Sequence, residues 1–198
     1  MKGDWIAALL FCGMLLLAGC SAKAAPVEQQ TKPQSMAVFT RESRIEDVQN
    51  DPAFDGFGRL LFLTNTYYYS GDTLEELEFT YYSHIDPDET VEIVNTLRDR
   101  VEAGQTVFYD IYTEQEKKAD PAKRDTGLFY FKGNPCEKFA ICNAGGAFAF
   151  VGAMQDSFPH ALELSKKGYN AFALIYRPGA QTACEDLARA ITFIFDHA

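Results

Sequence analysis

The feature that most constrains the fold is the alternation of amphipathic helices and apolar strands from Asp86 to Ala198. Its last part gives a strand KFAICNA (138–144), a glycine-containing loop, a helix, a strand NAFALIY (170–176) and a final helix. A strand–helix–strand connection within one sheet is right-handed and leaves its two strands parallel. The alternation therefore predicts an α/β fold: a mostly parallel sheet with helices on both faces.

Local signals mark the other elements of this core. Asp86 predicts the N-cap of the first helix, and a capping box at Thr182 predicts the start of the last one. The strands TVFYDIY (106–112) and GLFYFKG (127–133) lie between them. A short turn separates GLFYFKG from KFAICNA, so these two strands are candidates for direct pairing. Apolar residues recur at helical spacing in the last helix, namely Cys184, Leu187, Ala188, Ile191, Ile194 and Phe195.

The first residues form an export signal and are excluded from the fold. A basic start is followed by an apolar run from Trp5 to Ala18, which is shorter than the roughly 20 residues of a spanning helix. Its end, Leu-Ala-Gly-Cys, resembles the lipobox of bacterial lipoproteins. The resemblance implies a signal peptide over 1–19, lipid attachment at Cys20 and a membrane-anchored location outside the cytoplasm. A flexible tether (20–35) then leads to the folded domain.

The domain itself is expected to span 36–198 in two parts. Residues 36–85 read as an aromatic-rich N-terminal extension of short strands and turns, and 86–198 as the α/β core. The net charge of −10 leaves no basic stripe for a nucleic acid. We therefore predict a partner other than a nucleic acid.

The cysteines predict neither a metal site nor a disulfide framework. Cys12 and Cys20 lie in the export segment, and Cys136, Cys142 and Cys184 lack the spacing of zinc ligands. We expect no metal and no cofactor. Cys142 and Cys184 are expected in the core, whereas a disulfide between Cys136 and Cys142 stays open.

The loop after KFAICNA contains adjacent glycines, Gly145 and Gly146, followed by Ala147. Ligands of open α/β sheets bind at the carboxyl ends of strands. Because glycine lacks a Cβ atom, the amides of such a loop can approach an anion. The chain has neither a GxGxxG nor a GxxxxGK[ST] pattern, which disfavours a nucleotide phosphate as that anion.

Residues 127–198 resemble the amino-terminal half of an α/β-hydrolase of the esterase and lipase kind. The resemblance implies that Gly145, Gly146 and Ala147 donate to an oxyanion, as the HGGG loop does, with Asn143 where its histidine often stands. It also implies a serine esterase for short acyl esters or for acetylated or feruloylated polysaccharides. No serine lies in a G-x-S-x-G motif, so no catalytic residue is assigned and the chain is expected to be truncated and inactive alone.

The resemblance also predicts an open sheet edge. The strand that carries the family's nucleophile would pair beside KFAICNA, which leaves that strand exposed and favours self-association or completion by another polypeptide. The histidines are expected at the surface or at caps: His84, His160 and His197. Arg177 follows NAFALIY and is the charge expected nearest the site, unless it only pairs with Asp156 or Glu185.

Three functions stay open at this point. The first is a serine esterase by descent, and the second is a non-catalytic surface lipoprotein that binds a ligand or partner at the strand ends. A tyrosine cluster could stack on sugar rings in the second case, or could simply pack the extension onto the core: Tyr67, Tyr68, Tyr69, Tyr81 and Tyr82. The third is a structural remnant without activity.

Overall fold

Residues 38–62, 67–79 and 85–197 are described by the computed structural model, and they belong to one compact unit. The predicted signal peptide, the lipidation site Cys20 and the tether lie outside the described residues, as do Tyr81, Tyr82 and His84. The helices are α1 (Ile45–Gln49), α2 (Pro87–Glu102), α3 (Glu114–Ala119), α4 (Ser157–Lys166) and α5 (Ala180–His197). The strands are β1 (Tyr69–Ser70), β2 (Glu78–Phe79), β3 (Phe108–Tyr109), β4 (Gly127–Phe131), β5 (Phe139–Asn143) and β6 (Asn170–Ile175).

The local sequence predicts the start of α2 correctly but not the start of α5. The Asp86 carboxylate accepts hydrogen bonds from the amides of Asp88 and Glu89 and so caps α2, as predicted. The capping box predicted at Thr182 is wrong, because α5 already begins at Ala180. The Thr182 hydroxyl instead donates to the carbonyl of Gly179, 2.9 Å away, from inside the first turn.

The main sheet has four strands in the order β3-β4-β6-β5. β5 and β6 are parallel and are joined through α4, as predicted. β4, however, is antiparallel to both of its neighbours, β3 and β6. The molecule is therefore α/β with a mixed sheet, and the prediction of a mostly parallel sheet is wrong. The alternation of helices and strands does not settle strand direction, since only parallel neighbours require a crossover.

The predicted direct pairing of β4 with β5 is also wrong, because β6 lies between them. Phe131 of β4 and Ala140 of β5 both pair with Ala171 of β6. Five of the six residues of β6 are buried, whereas every residue of β5 is exposed or half-buried. A strand with a near-continuous apolar run is most stable where both of its sides and both of its faces are covered, so β6 takes the interior position.

Helices cover both faces of this sheet. Phe158 of α4 contacts Phe129 and Phe131 of β4, with ring centroids 4.8 and 5.9 Å apart. Phe193 of α5 contacts Tyr109 at 5.5 Å, and Tyr109 in turn contacts Tyr130, which lies between the two phenylalanines in β4. Because alternate residues of a strand point to opposite faces, α4 and α5 lie on opposite sides.

β5 forms an edge of the sheet within the described residues, as expected. Beside it, α5 presents an exposed apolar stripe, formed by Cys184, Ala188, Ile191 and Phe195. Phe195 packs edge to face on Phe139 of β5, with centroids 5.5 Å apart, so the stripe and the edge are continuous. The predicted burial of Cys184 is wrong, because α5 turns a neighbouring face inward, the one that holds Ala183, Asp186, Ala190 and Ile194.

The N-terminal extension packs on the α4 side of the sheet through aromatic rings. Phe57 stacks on Phe108 of β3 at 4.8 Å and meets Phe129 edge to face at 5.7 Å. Tyr69 is buried and its hydroxyl donates to the side-chain oxygen of Gln155, which joins β1 to the loop before α4. Among the described residues, no helix is both long and apolar enough to cross a membrane.

Candidate functional site at the strand ends

The candidate site lies where the parallel strands β5 and β6 both end. The segment after β5 (144–156) runs to α4, and the segment after β6 (176–179) runs to α5. Two hydrogen bonds tie the segments together: the Gly179 amide donates to the Phe148 carbonyl at 2.7 Å, and the Tyr176 hydroxyl donates to the Ala144 carbonyl at 2.8 Å. The two loops therefore form one surface at the carboxyl edge of the sheet.

The glycine loop turns sharply directly after β5. Gly146, Ala147 and Phe148 have φ angles of 150°, 51° and 59°, all positive. A Cβ atom on Gly146 would lie 2.0 Å from the Phe150 carbonyl oxygen, so this position requires glycine. Ala147 and Phe148 hold the left-handed conformation without that freedom, which is a strained arrangement that the surrounding bonds must maintain.

One of the three predicted oxyanion donors already donates a hydrogen bond to another residue of the protein. The Gly145 amide donates to Oδ2 of Asp156 at 2.7 Å, and the Gly145 carbonyl accepts from Gly152 at 3.0 Å. The amides of Gly146 and Ala147 make no hydrogen bond to other described residues. The Gly145 amide thus already binds a carboxylate, and the assignment of the three amides as oxyanion donors stays a prediction.

The histidines and serines form no catalytic triad within the described part of the chain. His160 is exposed and its Nδ1 lies 3.2 Å from Oδ1 of Asp156, the residue that precedes α4. His197 stacks on Phe193 at 4.1 Å at the end of α5. Ser157 and Ser165 are buried, and the Ser165 hydroxyl donates to a helix carbonyl. None of the described serine hydroxyls is hydrogen-bonded to a histidine.

Two cavities adjoin the glycine loop. The larger, about 310 Å³, lies between the loop, the end of β6 and the extension, and its apolar lining includes Leu60, Phe62, Phe150, Met154 and Tyr176. The smaller, about 220 Å³, is lined by Phe79, Gly145, Gly146, Phe150, Gln155 and Asp156. The Gly145–Asp156 hydrogen bond thus lies at a concave surface.

Arg177, directly after β6, is buried in an ionic cluster rather than presented at the site. Its Nη2 lies 2.8 Å from Asp186 Oδ1, its backbone amide donates to Asp186 Oδ2 at 2.8 Å, and its Nη1 donates to Asp120 at 2.7 Å. The hydrogen bond with Asp186 raises the pKa of Arg177 above its usual value. Of the two predicted partners, Glu185 lies 3.8 Å away and Asp156 makes no ion pair with Arg177.

Tyr112 completes this cluster from the segment after β3. Its hydroxyl donates to Asp186 at 2.6 Å, and burial together with this bond raises the pKa of Tyr112 to about 12. Lys123, Arg177 and Arg189 place cationic groups 4.6, 5.5 and 5.6 Å from its ring centre. Asp186 was not predicted from the sequence, although its helical spacing places it on the face of α5 that packs on the sheet. A carboxylate there requires a buried partner.

The three cysteines in the described part of the chain, Cys136, Cys142 and Cys184, are free, so the disulfide left open between Cys136 and Cys142 is not formed. Cys136 and Cys184 are exposed and Cys142 is half-buried. Burial, and to a smaller extent the Asp156 carboxylate, raises the pKa of the Cys142 thiol, which keeps it from acting as a ready nucleophile. The described residues contain no group of three or more histidine, cysteine or acidic side chains placed to hold a metal ion.

Comparison with known proteins gave no match: none of the protein-family models, curated proteins or solved structures searched is similar to this chain.

Proposed function

We propose that this chain supplies the oxyanion-binding part of a serine esterase of the α/β-hydrolase type, and that the attacking serine lies outside the described residues. The observation that supports this proposal most directly is the position of the glycine loop. In that family one oxyanion donor comes from the loop between the third strand of the sheet and the next helix. Here the loop follows β5, the third strand of the four-stranded sheet in chain order, and precedes α4.

The open edge supports the second half of this proposal. β5 carries the loop and has β6 on one side, but no described strand on the other. The exposed stripe of α5 continues over this edge through the contact of Phe195 with Phe139. An apolar stripe beside an unpaired strand is the surface that an additional strand would cover, and the same surface favours self-association while it is uncovered.

The proposed substrate is an ester of a small acyl group, free or on a polysaccharide. Amides that face a concave surface can stabilise the negative charge of a tetrahedral intermediate, provided that they reach the oxyanion at hydrogen-bond distance. Without a serine and a histidine in contact, the described residues alone provide this stabilisation and no nucleophile. The described residues by themselves are then inactive.

A covalent probe tests the proposal. A fluorophosphonate should label no serine of this chain, and should label a chain extended by the codons that follow Ala198 at a serine within G-x-S-x-G. About one strand and its turns, roughly 30 residues, is the distance within which that motif is expected. Labelling of a serine already present in this chain, or an in-frame extension that lacks the motif, would contradict the proposal.

The same proposal includes export as a lipoprotein, on the strength of residues 1–19 and Cys20. Metabolic labelling with a radioactive fatty acid should mark the full-length chain, and Cys20→Ser should abolish the label. A labelled C20S variant would show that the lipid, if present, is attached elsewhere.

A second candidate, ligand binding without catalysis, is favoured by the 310 Å³ cavity. Its lining is mostly apolar and its volume lies at the lower end of the range for small-molecule sites. If this candidate holds, small aromatic compounds should shift the amide resonances of Phe150 and Met154 in a chain that the fluorophosphonate leaves unlabelled. Absence of such shifts over a library of small aromatic acids and esters would reject it.

A further inference from the structure

The Asp156 carboxylate does not make the bond that its position in the sequence suggests. Asp156 is the N-cap residue of α4, where an aspartate usually accepts hydrogen bonds from the first amides of its own helix. Its side chain makes no such bond. It reaches instead across the loop to the Gly145 amide at 2.7 Å, a hydrogen bond strengthened by the charge of the carboxylate.

The place that this carboxylate occupies is accessible from outside. The Asp156 side chain is 39% exposed and lines the 220 Å³ cavity together with Gly145 and Gly146. The Gly145 amide has one proton to donate, and Oδ2 of Asp156 accepts it. The carboxylate therefore has to move before another oxygen acid can bind this amide.

A second partner is available to Asp156 if it moves. Oδ1 lies 3.2 Å from Nδ1 of His160, one helical turn further along α4, and His160 is 72% exposed. The carboxylate can rotate towards His160 and solvent without being left buried and unpaired. Release of the Gly145 amide therefore avoids the desolvation cost that accompanies the loss of a buried partner.

We propose that Asp156 is an internal competitor for the anion site of the glycine loop. In the free protein its carboxylate holds the Gly145 amide, and the carboxylate or oxyanion of a ligand takes its place. The inference rests on the anion-binding role proposed above for this loop, and adds a residue that lowers the affinity of that site until a ligand displaces it. The ligand class is a small oxygen acid, such as the acid released from an ester.

Chemical rescue with acetate tests the competitor. In Asp156→Ala the Gly145 amide loses its partner, so its proton and nitrogen resonances should move away from their positions in the unmodified chain. Added acetate should return them towards those positions, with a midpoint about tenfold lower than any response of the unmodified chain, the factor expected for removal of one competing hydrogen bond. Chloride at the same ionic strength should have no such effect.

The matched control is Glu163→Ala, which removes an exposed carboxylate from the same helix. It should respond to acetate as the unmodified chain does. If Asp156→Ala fails to fold, Asp156→Asn is measured in the same way, since the neutral amide competes less well than the carboxylate. Equal acetate midpoints in the unmodified chain and in the folded Asp156 variant would overturn the proposal.

The two proposals fail separately. The acetate experiment needs no nucleophile and uses this chain as it is, whereas the fluorophosphonate experiment reports only on the serine. Acetate rescue without labelling of the extended chain would support the competitor and reject the esterase. Labelling without acetate rescue would support the esterase and reject the competitor.

Discussion

The segments that follow β5 and β6 end at the same edge of the sheet but differ in how their polar groups are used. After β6, the buried charges of Arg177 and Asp186 are paired with each other and surrounded by Tyr112 and Asp120. After β5, the polar groups are backbone amides, and the carboxylate that binds one of them, the Gly145 amide, is partly exposed. We call the end of β6 braced, because buried ion pairs hold it, and the end of β5 open, because a ligand can reach its amides.

The difference indicates which of the two segments can bind a ligand. A buried ion pair with all its partners present resists change, because removal of either charge leaves the other uncompensated. An exposed carboxylate on a loop amide can leave at little cost. A ligand is therefore expected to act on the glycine loop, while the Arg177 cluster holds the end of β6 in place beside it.

The largest expected effect comes from breaking the braced side. Asp186→Ala removes the main partner of Arg177 from a fully buried position and should lower the free energy of unfolding by about 3–5 kcal/mol. Urea denaturation measures the change. Asp196→Ala, at an exposed position of the same helix, should stay within about 0.5 kcal/mol. A loss below about 1 kcal/mol for Asp186→Ala would show that the cluster does not brace this strand end.

A smaller loss of stability is expected from a substitution in the glycine loop, at the open strand end. Gly146→Ala places a Cβ atom 2.0 Å from the Phe150 carbonyl oxygen and should cost about 1–3 kcal/mol in unfolding free energy, with the loop displaced. Gly104→Ala, where φ is also positive but no atom lies within 4 Å, is the control for the conformational part alone. Equal losses in the two variants would show that the tight turn is not required.

The pH dependence of stability should also distinguish the two strand ends. Because the folded-state pKa of Tyr112 is raised from 10.0 to about 12, its contribution is fully present below pH 10 and is lost as the pH rises from about 10 to 12. Tyr112→Phe lacks this ionisation, so the difference in urea midpoint between the unmodified chain and the variant should shrink over that range. A constant difference would mean that Tyr112 titrates normally.

The smallest effect is expected at the exposed pair beside the glycine loop. His160→Ala removes the imidazole that lies 3.2 Å from Asp156, but both side chains are open to solvent. The free energy of unfolding should change by less than about 0.5 kcal/mol. A loss comparable to that of Asp186→Ala would remove the distinction between a braced and an open strand end.

The fold was predictable from the sequence where short-range signals decide. The Asp86 cap, the β5–α4–β6 unit and the glycine turn after β5 follow from residues that are neighbours in the chain. Two local predictions failed, namely the start of α5 at Thr182 and the burial of Cys184. The other failures concern long-range choices: β6 lies beside β5 in place of β4, and Arg177 binds Asp186 more closely than the expected Glu185. At the site, the glycine loop was found, but its contact with Asp156 was not. Nothing in the local pattern distinguishes an aspartate that caps its own helix from one that binds a loop amide.

Most helices and strands of this protein, and the turn after β5 that requires glycine, follow from the amino-acid sequence alone. Glycine requirements, caps and apolar periodicity act between residues a few positions apart, so they can be read along the chain. Strand order, the buried partner of Arg177 and the hydrogen bond of the Gly145 amide to Asp156 are known only from the folded molecule. These depend on which buried groups compete for the same space and the same hydrogen bonds, and that competition exists only once distant segments have met.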